Sequence, residues 1–472
     1  MILEDKKILV VGSGKSGIAA VELLKSRGFE PKLIDSNENL DIDKLKNDNP
    51  VLKDVEIIKG EITKELKDET TCLVLSPGVP TDLPWINELR DNKCLIIGEI
   101  ELAYHFGKGA VIGITGTNGK TTTTTLVGEI MKAYYNNVDV VGNIGIPYTT
   151  KVLEQKEKGI TVAEISSFQL ETTIEFHPVV TAILNITPDH LNRHHSMENY
   201  IKAKEHITAK QTNQDICVLN YDSPDTRAFI NDCPAYVIAF SSKERLSDGY
   251  YYEDGFIYRA GVRRDHTGYW EDDFVSYNDN YNMPKKIMNV HDMNLVGMCN
   301  IENVMAALAI AESMNVPLDI TLDVIKKFKA VEHRIEFVAT KRGVDYYNDS
   351  KGTNPDAAIQ GIRAMTKPTI LIGGGYDKGS EYDEWIESFD NKVKLLVLIG
   401  VTRDKIAECA RKHGITNIKF ADTFEECMNI CIENAVAGDA VLLSPACASW
   451  GMFDNYEQRG HIFKDIVNAI KE

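Results

Sequence analysis

The chain is poor in positive charge. Its 52 Lys and Arg stand against 70 Asp and Glu, a formal net charge of −18 over 472 residues. Proteins that coat nucleic acid or lie on anionic membranes recruit net positive charge, so neither partner is expected. Long apolar runs are also missing. No stretch approaches the roughly 18 consecutive apolar residues of a spanning helix. The N-terminal MILEDKKILVV carries acids where a secretory signal wants only bases. Membrane insertion and export are therefore not expected, and the chain reads as cytoplasmic. The nine cysteines are odd in number, scattered and without a C-x-x-C pair. Cys427 and Cys431 fall on one helix face and read as small buried hydrophobes in a reducing compartment, since zinc needs more ligands at set spacing. No tandem repeat occurs, and the one low-complexity patch is a threonine run after Lys120.

What is present is globular. Hydrophobic residues make up 43% and charged residues 26%, far from disordered composition. The length fits about three domains at roughly 150 residues each. Short apolar runs alternate with helical patterns: Ile8 to Val11, Lys32 to Asp35 and Cys72 to Leu75 read as strands, the last stopped by Ser76-Pro77-Gly78-Val79-Pro80. A second unit, from Glu99, has strands at Ala110 to Thr115, Thr161 to Ile165 and Val179 to Asn185. Between Ser241 and Met288 it turns tyrosine-rich and hairpin-like, with a turn at Asp254-Gly255. A helix follows from Asn300 to Met314. A third unit opens with two strands around Arg342-Gly343, then strands at Thr369 to Ile372, Leu395 to Ile399 and Ala440 to Leu443. This rhythm implies an α/β chain of three domains: a Rossmann-like parallel sheet over 1–98, a P-loop ATPase-like domain over 99–330 and a second Rossmann-like domain over 331–472.

Several loops carry chemistry. Gly113 to Thr121 reads GITGTNGKT after a strand and before a helix. Small residues there let backbone N–H groups converge on phosphate oxygens, Lys120 adds a positive charge, and Thr121 offers its hydroxyl to Mg²⁺. Gly12 to Gly17 reads GSGKSG between a strand and a helix, with Asp35 ending the next strand. That pattern fits a phosphate-bearing ligand on a helix N-terminus, and by itself also fits a nicotinamide dinucleotide. EISSFQLE puts Glu164 at a strand end, where an acid beside a phosphate loop can hold Mg²⁺. In NITPDHLNRHH one histidine is as plausible a metal ligand as a solvated cap. In YIKAKEH, Lys202 and Lys204 read as a solvated helix face. Lys351, Lys378 and Arg459, in DSKGTN, IGGGYDKG and SPACASWGMFDNYEQRG, are scarce cations on loops after strands and suggest a face for carboxylate or phosphate.

Together these motifs resemble the Mur ligase family from the first strand to the last helix. GSGKSG with SPGVP, SSFQLE, and SPACASWGMFDNYEQRG point within it to the branch that joins D-glutamate to UDP-N-acetylmuramoyl-L-alanine. The resemblance implies an ATP-dependent amide ligase that works through an acyl phosphate and serves peptidoglycan precursor synthesis. It assigns the ATP phosphates to Gly116, Thr117, Asn118, Gly119, Lys120, Thr121 and Thr122. It implies two Mg²⁺ sites, one on Thr121 and Glu164, the other on His190 and Lys204. In the family that lysine is carbamylated, which reverses the solvated reading of Lys204. Asn143, Ser166 and Gln169 are implied to face the muramoyl substrate. Ser13, Lys15, Ser16, Asp35, Ser36 and Ser76 are implied for the uridine diphosphate. Asn300, Asn303, Arg334 and Asp349 are implied for the adenine and ribose, and Lys351, Thr353, Lys378, Ser449 and Tyr456 for D-glutamate. Cys299 stands where the family usually has His, and Asn37 where Arg is common. A monomer is expected. The competing readings are a Mur ligase for another amino acid and a nicotinamide-dependent oxidoreductase, which leaves GTNGKT unexplained.

Overall fold

The computed structural model describes residues 3–262 and 280–471. The part of the tyrosine-rich stretch at 263–279 lies outside the described residues. Contacts divide the chain into two compact units, one holding residues up to Met288 with Val304–Ile325, the other Asn289–Asn303 with residues from Lys326 onward.

The first unit contains two sheets. The N-terminal one comprises β1 (Ile8–Val11), β2 (Lys32–Asp35), β3 (Ile57–Lys59), β4 (Cys72–Leu75) and β5 (Leu95–Gly98), all parallel, in the order β3-β2-β1-β4-β5. Strands β1 and β4 are buried along their whole length, which is why they read as unbroken apolar runs rather than alternating ones. The order reverses between β1 and β4, and a parallel sheet opens a crevice at such a point, beyond the strand carboxyl ends.

The second sheet comprises β6 (Ala110–Thr115), β7 (Val138–Gly142), β8 (Ile160–Glu164), β9 (Val180–Ile183), β10 (Ile216–Asn220), β11 (Tyr236–Ser241), β12 (Gly249–Glu253), β13 (Phe256–Val262) and β14 (Asn280–Asn289). Its order is β14-β13-β12-β11-β10-β9-β6-β8-β7. β6 pairs in parallel with both β8 and β9, so the GITGTNGKT loop leaves the sheet between the ends of those two strands. The tyrosine-rich hairpin is antiparallel, and its turn residues Asp254 and Gly255 take φ of 46° and 83°. Both values suit the tight turn that matches strand twist.

The second unit is built on β15 (Glu336–Lys341), β16 (Val344–Asn348), β17 (Thr369–Gly373), β18 (Val393–Leu398), β19 (Ile418–Phe420) and β20 (Ala440–Leu443), in the order β15-β16-β20-β17-β18-β19. Only the β15/β16 hairpin is antiparallel. Helices cover both faces, and Trp385, Phe389, Met428 and Phe463 are among its fully buried side chains. Cys427 and Cys431 lie buried on the helix Phe424–Asn434, and all nine cysteines are free. No helix of the described residues is long and apolar enough to cross a membrane.

Candidate active site

The loop after β6 is shaped by two glycines. Gly116 sits at φ 149°, and a Cβ there would lie 3.1 Å from Leu184 Cβ and 3.3 Å from Asn185 N. Gly119 at φ 85° is the left-handed cap of the helix Lys120–Tyr134. The loop is stitched to the segment after β9. Thr117 N donates to Asn185 O (2.9 Å), Asn118 N donates to Asn185 Oδ1 (2.8 Å), and Asn185 Nδ2 returns a bond to Asn118 O (3.0 Å). Thr117 Oγ1 donates to Thr187 O, accepts from Thr187 N, and meets the Tyr200 hydroxyl at 3.1 Å. A cradle held from outside in this way keeps its shape without reorganising, with the N–H groups of Thr117 and Asn118 spent on Asn185. The threonines that open the helix, Thr121 to Thr124, are buried. Tertiary packing therefore offsets their poor helix propensity.

Glu164 ends β8 and pairs in register with Ile114, at the mouth of the loop. It is 2% exposed, and its two oxygens differ. Oε1 accepts from Asn143 Nδ2 at 2.8 Å, while Oε2 is buried without a partner. An unpaired buried carboxylate oxygen is costly unless a cation meets it, so this position suits a magnesium ion. Asn143 is held in turn by its N–H on Glu164 O.

Lys204 is 1% exposed. The solvated-face reading of YIKAKEH holds for Lys202, which is exposed and paired with Glu198, and fails for Lys204. On the helix Met197–Glu205 the two lysines lie on different faces. Lys204 Nζ donates to Gly116 O at 2.8 Å, and Lys120 Nζ donates to the same oxygen and to Thr117 O, each at 2.8 Å. Burial, reinforced by the Lys120 charge and opposed only by Asp189, pulls the Lys204 amine well below the ordinary lysine range. A buried amine with a depressed pKa is a nucleophile rather than a counter-ion. His190 takes φ 53°, is half exposed and packs its ring edge-on against Phe168 at 4.9 Å.

The segment around Ser166 is tied to the N-terminal sheet. Ser166 and Gln169 form a reciprocal cap on the short helix Ser167–Leu170, so part of the hydrogen-bonding capacity of both is spent locally. Ser76, Val79, Phe168 and Gln169 line one small cavity, which brings SPGVP and SSFQLE together. Arg193 locks that junction by donating to Val79 O (2.9 Å) and Glu171 Oε2 (2.7 Å). His194 bridges Ser167 Oγ (2.9 Å) and Glu171 Oε1 (3.3 Å). Asn185, Glu171, Arg193 and His194 were not singled out from sequence. Only the dense NITPDHLNRHH cluster hinted at three of them.

At the crevice of the first sheet, Gly12 (φ 97°) leaves room for Ser76 Oγ, and a Cβ on Gly17 would fall 1.8 Å from Gly12 O. Asp35 Oδ2 accepts from both Ser13 N (2.8 Å) and Ser13 Oγ (2.6 Å), and Oδ1 accepts from Asn37 N (2.9 Å). Burial raises its pKa, but these bonds prevail and hold it below the usual range. Asp35 thus organises the GSGKSG turn. Lys15 and Ser16 begin the helix Lys15–Ser26, and Ser36 follows β2 at the same edge.

The second unit gathers the remaining candidates. Asn303 Nδ2 donates to Asn300 Oδ1, and Asn300 Nδ2 donates to Val296 O. Arg334 stands between two left-handed residues, His333 (φ 67°) and Ile335 (φ 44°), and its buried Nε has no partner. A β-branched residue at positive φ is strained. The bond from Ile335 N to Asp349 Oδ1 holds it there. Burial drives the Asp349 carboxyl up to about 6, against Arg334 and the Ser444 hydroxyl. Burial likewise pushes the Cys299 thiol up to about 12. Lys351 Nζ lies 5.5 Å from the centre of the Tyr456 ring and Lys378 Nζ 5.5 Å from that of Trp450. Thr353 N donates to Lys351 O, and Ser449 is buried. Arg459, read as a loop cation on a face for carboxylate or phosphate, lies instead on the helix Tyr456–Ala469. It is 2% exposed, donates to Ser350 Oγ, Ser350 O and Cys447 O, and is pulled down to about 10 by burial.

Comparison with known proteins agrees along the length of the chain. Residues 6–98 match the Mur ligase MurD-like N-terminal domain, 114–311 the Mur ligase middle domain, and 333–447 the Mur ligase glutamate ligase domain. The UDP-N-acetylmuramoylalanine–D-glutamate ligase of Lachnospira eligens is 55% identical over 473 residues, covering 100% of both chains. This chain belongs to the Mur ligase family. The enzymes of the same name from Lachnoclostridium phytofermentans and Clostridioides difficile are 51% and 44% identical, over at least 99% of each chain. Among solved structures, the UDP-N-acetylmuramate–alanine ligase of Thermotoga maritima aligns with a TM-score of 0.59 at 17% identity, over 99% of this chain and 100% of its own. The MurF ligase of the same organism, solved with ADP, aligns with a TM-score of 0.56 at 16% identity, over 98% of this chain and 96% of its own. These likenesses carry the Mur ligase fold: three α/β sheets, the first wholly parallel.

Proposed function

We infer that this chain is an ATP-dependent ligase that joins D-glutamate to UDP-N-acetylmuramoyl-L-alanine in peptidoglycan precursor synthesis. The whole-length identity to D-glutamate ligases supports the substrate. The observation that carries the chemistry is the cradle Gly116–Thr121, flanked by Glu164 with its unpaired buried oxygen and by Lys204 on the cradle's own carbonyl.

The alanyl carboxylate attacks the γ-phosphorus of ATP, and ADP leaves. The amine of D-glutamate then attacks the acyl carbon, phosphate departs, and the amine sheds its proton. Two anions must meet in the first step, so the protein supplies cationic surroundings. The loop of residues 116–122 receives the phosphates, with Thr117 and Asn118 holding its shape through Asn185, and Lys120 turns from its loop carbonyls to the transferring group. Thr121 and Glu164 would hold one Mg²⁺, and His190 with a carbamylated Lys204 would hold a second. When bound, these ions neutralise phosphate charge. Carbamylation needs a neutral amine: Lys204 attacks CO₂, the new N–C bond forms, and a proton leaves to solvent. The depressed basicity of Lys204 supports this reading.

Asn143, Ser166 and Gln169 orient the muramoyl part, and Ser13, Lys15, Ser16, Asp35, Ser36 and Ser76 the uridine diphosphate. Asn300, Asn303, Arg334 and Asp349 serve the adenosine, and Lys351, Thr353, Lys378, Ser449 and Tyr456 the D-glutamate. Asp35 acts through the Ser13 turn, given its bonds there. The working divisions are residues 1–98, 99–330 and 331–472, and the enzyme acts as a cytoplasmic monomer. Phosphate release tests the reading. It should require UDP-N-acetylmuramoyl-L-alanine and D-glutamate together. Equal release with L-alanine or L-lysine would overturn the substrate.

A further inference from the structure

A second constellation in the second unit is assigned to neither nucleotide nor substrate. The helix Asp383–Glu387 carries Asp383 and Glu387 one turn apart. The helix Arg403–Lys412 carries Cys409 and, at its C-cap, His413, also one turn apart. One donor atom from each of Asp383, Cys409 and His413 lies within 4.8 Å of the others. His413 Nε2 is 2.9 Å from Asp383 Oδ1, and its Nδ1 is 3.7 Å from Glu387 Oε1. The imidazole is therefore hydrogen-bonded to Asp383 through Nε2, with the Glu387 carboxylate near Nδ1 but beyond hydrogen-bond distance.

We propose that Asp383, Cys409 and His413 bind a divalent transition-metal ion of the zinc type, with Glu387 orienting the imidazole. A thiolate, an imidazole and a carboxylate form the mixed sulfur, nitrogen and oxygen set that zinc accepts. Magnesium and calcium take oxygen ligands and are poorly served by it. A carboxylate hydrogen-bonded to the far nitrogen of a ligating histidine fixes the tautomer and raises ligand basicity, and Glu387, 3.7 Å from Nδ1, is the carboxylate that would close onto it when the ion binds. Binding replaces the Cys409 thiol proton, which passes to solvent, by a sulfur–metal bond. His413 and Asp383 are 26% and 57% exposed at their side chains, so an ion can enter from water and keep a solvent ligand.

Among the described residues a second such cluster, Glu332, His333 and His461, lacks this character. Lys464 Nζ already sits 2.7 Å from Glu332 Oε1, and Asn348 Nδ2 is 2.9 Å from His333 Nδ1. At the proposed site, Lys412 is paired instead with Glu408. An ion there would clamp two helices that bracket the Lys378 loop, since Lys405 Nζ donates to Ser380 O and Gly375 N donates to Thr402 Oγ1.

Titration of the full chain with Co²⁺ tests the site, because a thiolate ligand gives a sulfur-to-cobalt charge-transfer band that the oxygen- and nitrogen-rich Mg²⁺ positions cannot produce. The expected result is a one-to-one complex with that band and tetrahedral d–d bands, displaced by Zn²⁺. Cys409→Ser should abolish the charge-transfer band, and His413→Gln should abolish tight binding. Glu387→Gln should weaken binding by about ten- to a hundred-fold. Cys94→Ala, in the other unit, should leave the spectrum unchanged. Absence of the band in the parent chain, or its survival in Cys409→Ser, would overturn the proposal.

Discussion

Lys120 and Lys204 both donate to the carbonyl oxygen of Gly116, each at 2.8 Å. Two ammonium groups on one acceptor repel, and the buried partner loses its proton more easily. On the proposed mechanism, Lys120 would thereby favour carbamylation of its neighbour. Lys204→Ala should fall below about 1% of parental activity, and short-chain carboxylic acids should restore part of it by standing in for the carbamate. With ¹³C-labelled bicarbonate the parent enzyme should give a carbamate resonance that Lys204→Ala lacks. A fully active Lys204→Ala enzyme would refute the role.

Lys120→Ala removes the charge proposed to meet the transferring phosphoryl group. Phosphate release should drop by about 10²–10³-fold. The loop remains stitched to Asn185 and Thr187, so circular dichroism and the unfolding midpoint should stay close to the parent.

Glu164→Gln separates function from stability. The buried Oε2 without a partner costs the folded protein about 1–3 kcal/mol. The neutral amide should therefore raise the urea midpoint or leave it unchanged, while activity falls about a hundred-fold through lost magnesium affinity. A loss of stability matching the loss of activity would show a purely structural glutamate.

Asn185→Ala opens the clasp on Asn118 N and O. Each lost bond is worth about 1 kcal/mol, so the KM for ATP should rise about ten-fold. The KM for D-glutamate should be unchanged.

Asp349 gives a pH signature. Its folded pKa, about 6, lies above the ordinary 3.8 because of burial. The folded state binds that proton more tightly than the unfolded one, so acid favours folding at this site. The penalty is absent below about pH 4 and complete above about pH 6, on the order of 2–3 kcal/mol. Compared pH by pH in urea, Asp349→Asn should gain stability relative to the parent by that order between pH 4 and 6.5. A constant difference across the range would exclude the buried charge.

The sequence by itself determined the α/β alternation, the phosphate loop, the N-terminal glycine turn and Glu164 at a strand end. These are local: an apolar run sets a strand, and glycines in a short window set a turn. It also carried the family, because long motifs survive in linear order. What it could not supply were facts made by burial and by contact between distant segments. Lys202 and Lys204 look alike in sequence, yet only Lys204 turns inward onto Gly116. Arg459 reads as a loop cation and is buried on Ser350 and Cys447. Asn185 opens the NITPDHLNRHH cluster, but its clasp on the Gly116–Thr121 loop depends on β9 lying beside β6. The Cys409–His413 and Asp383–Glu387 pairs are ordinary helix spacings until the fold sets the two helices face to face. Spacing along the chain reports the backbone's own preferences, whereas desolvation and the sharing of an acceptor exist only once the tertiary structure has closed.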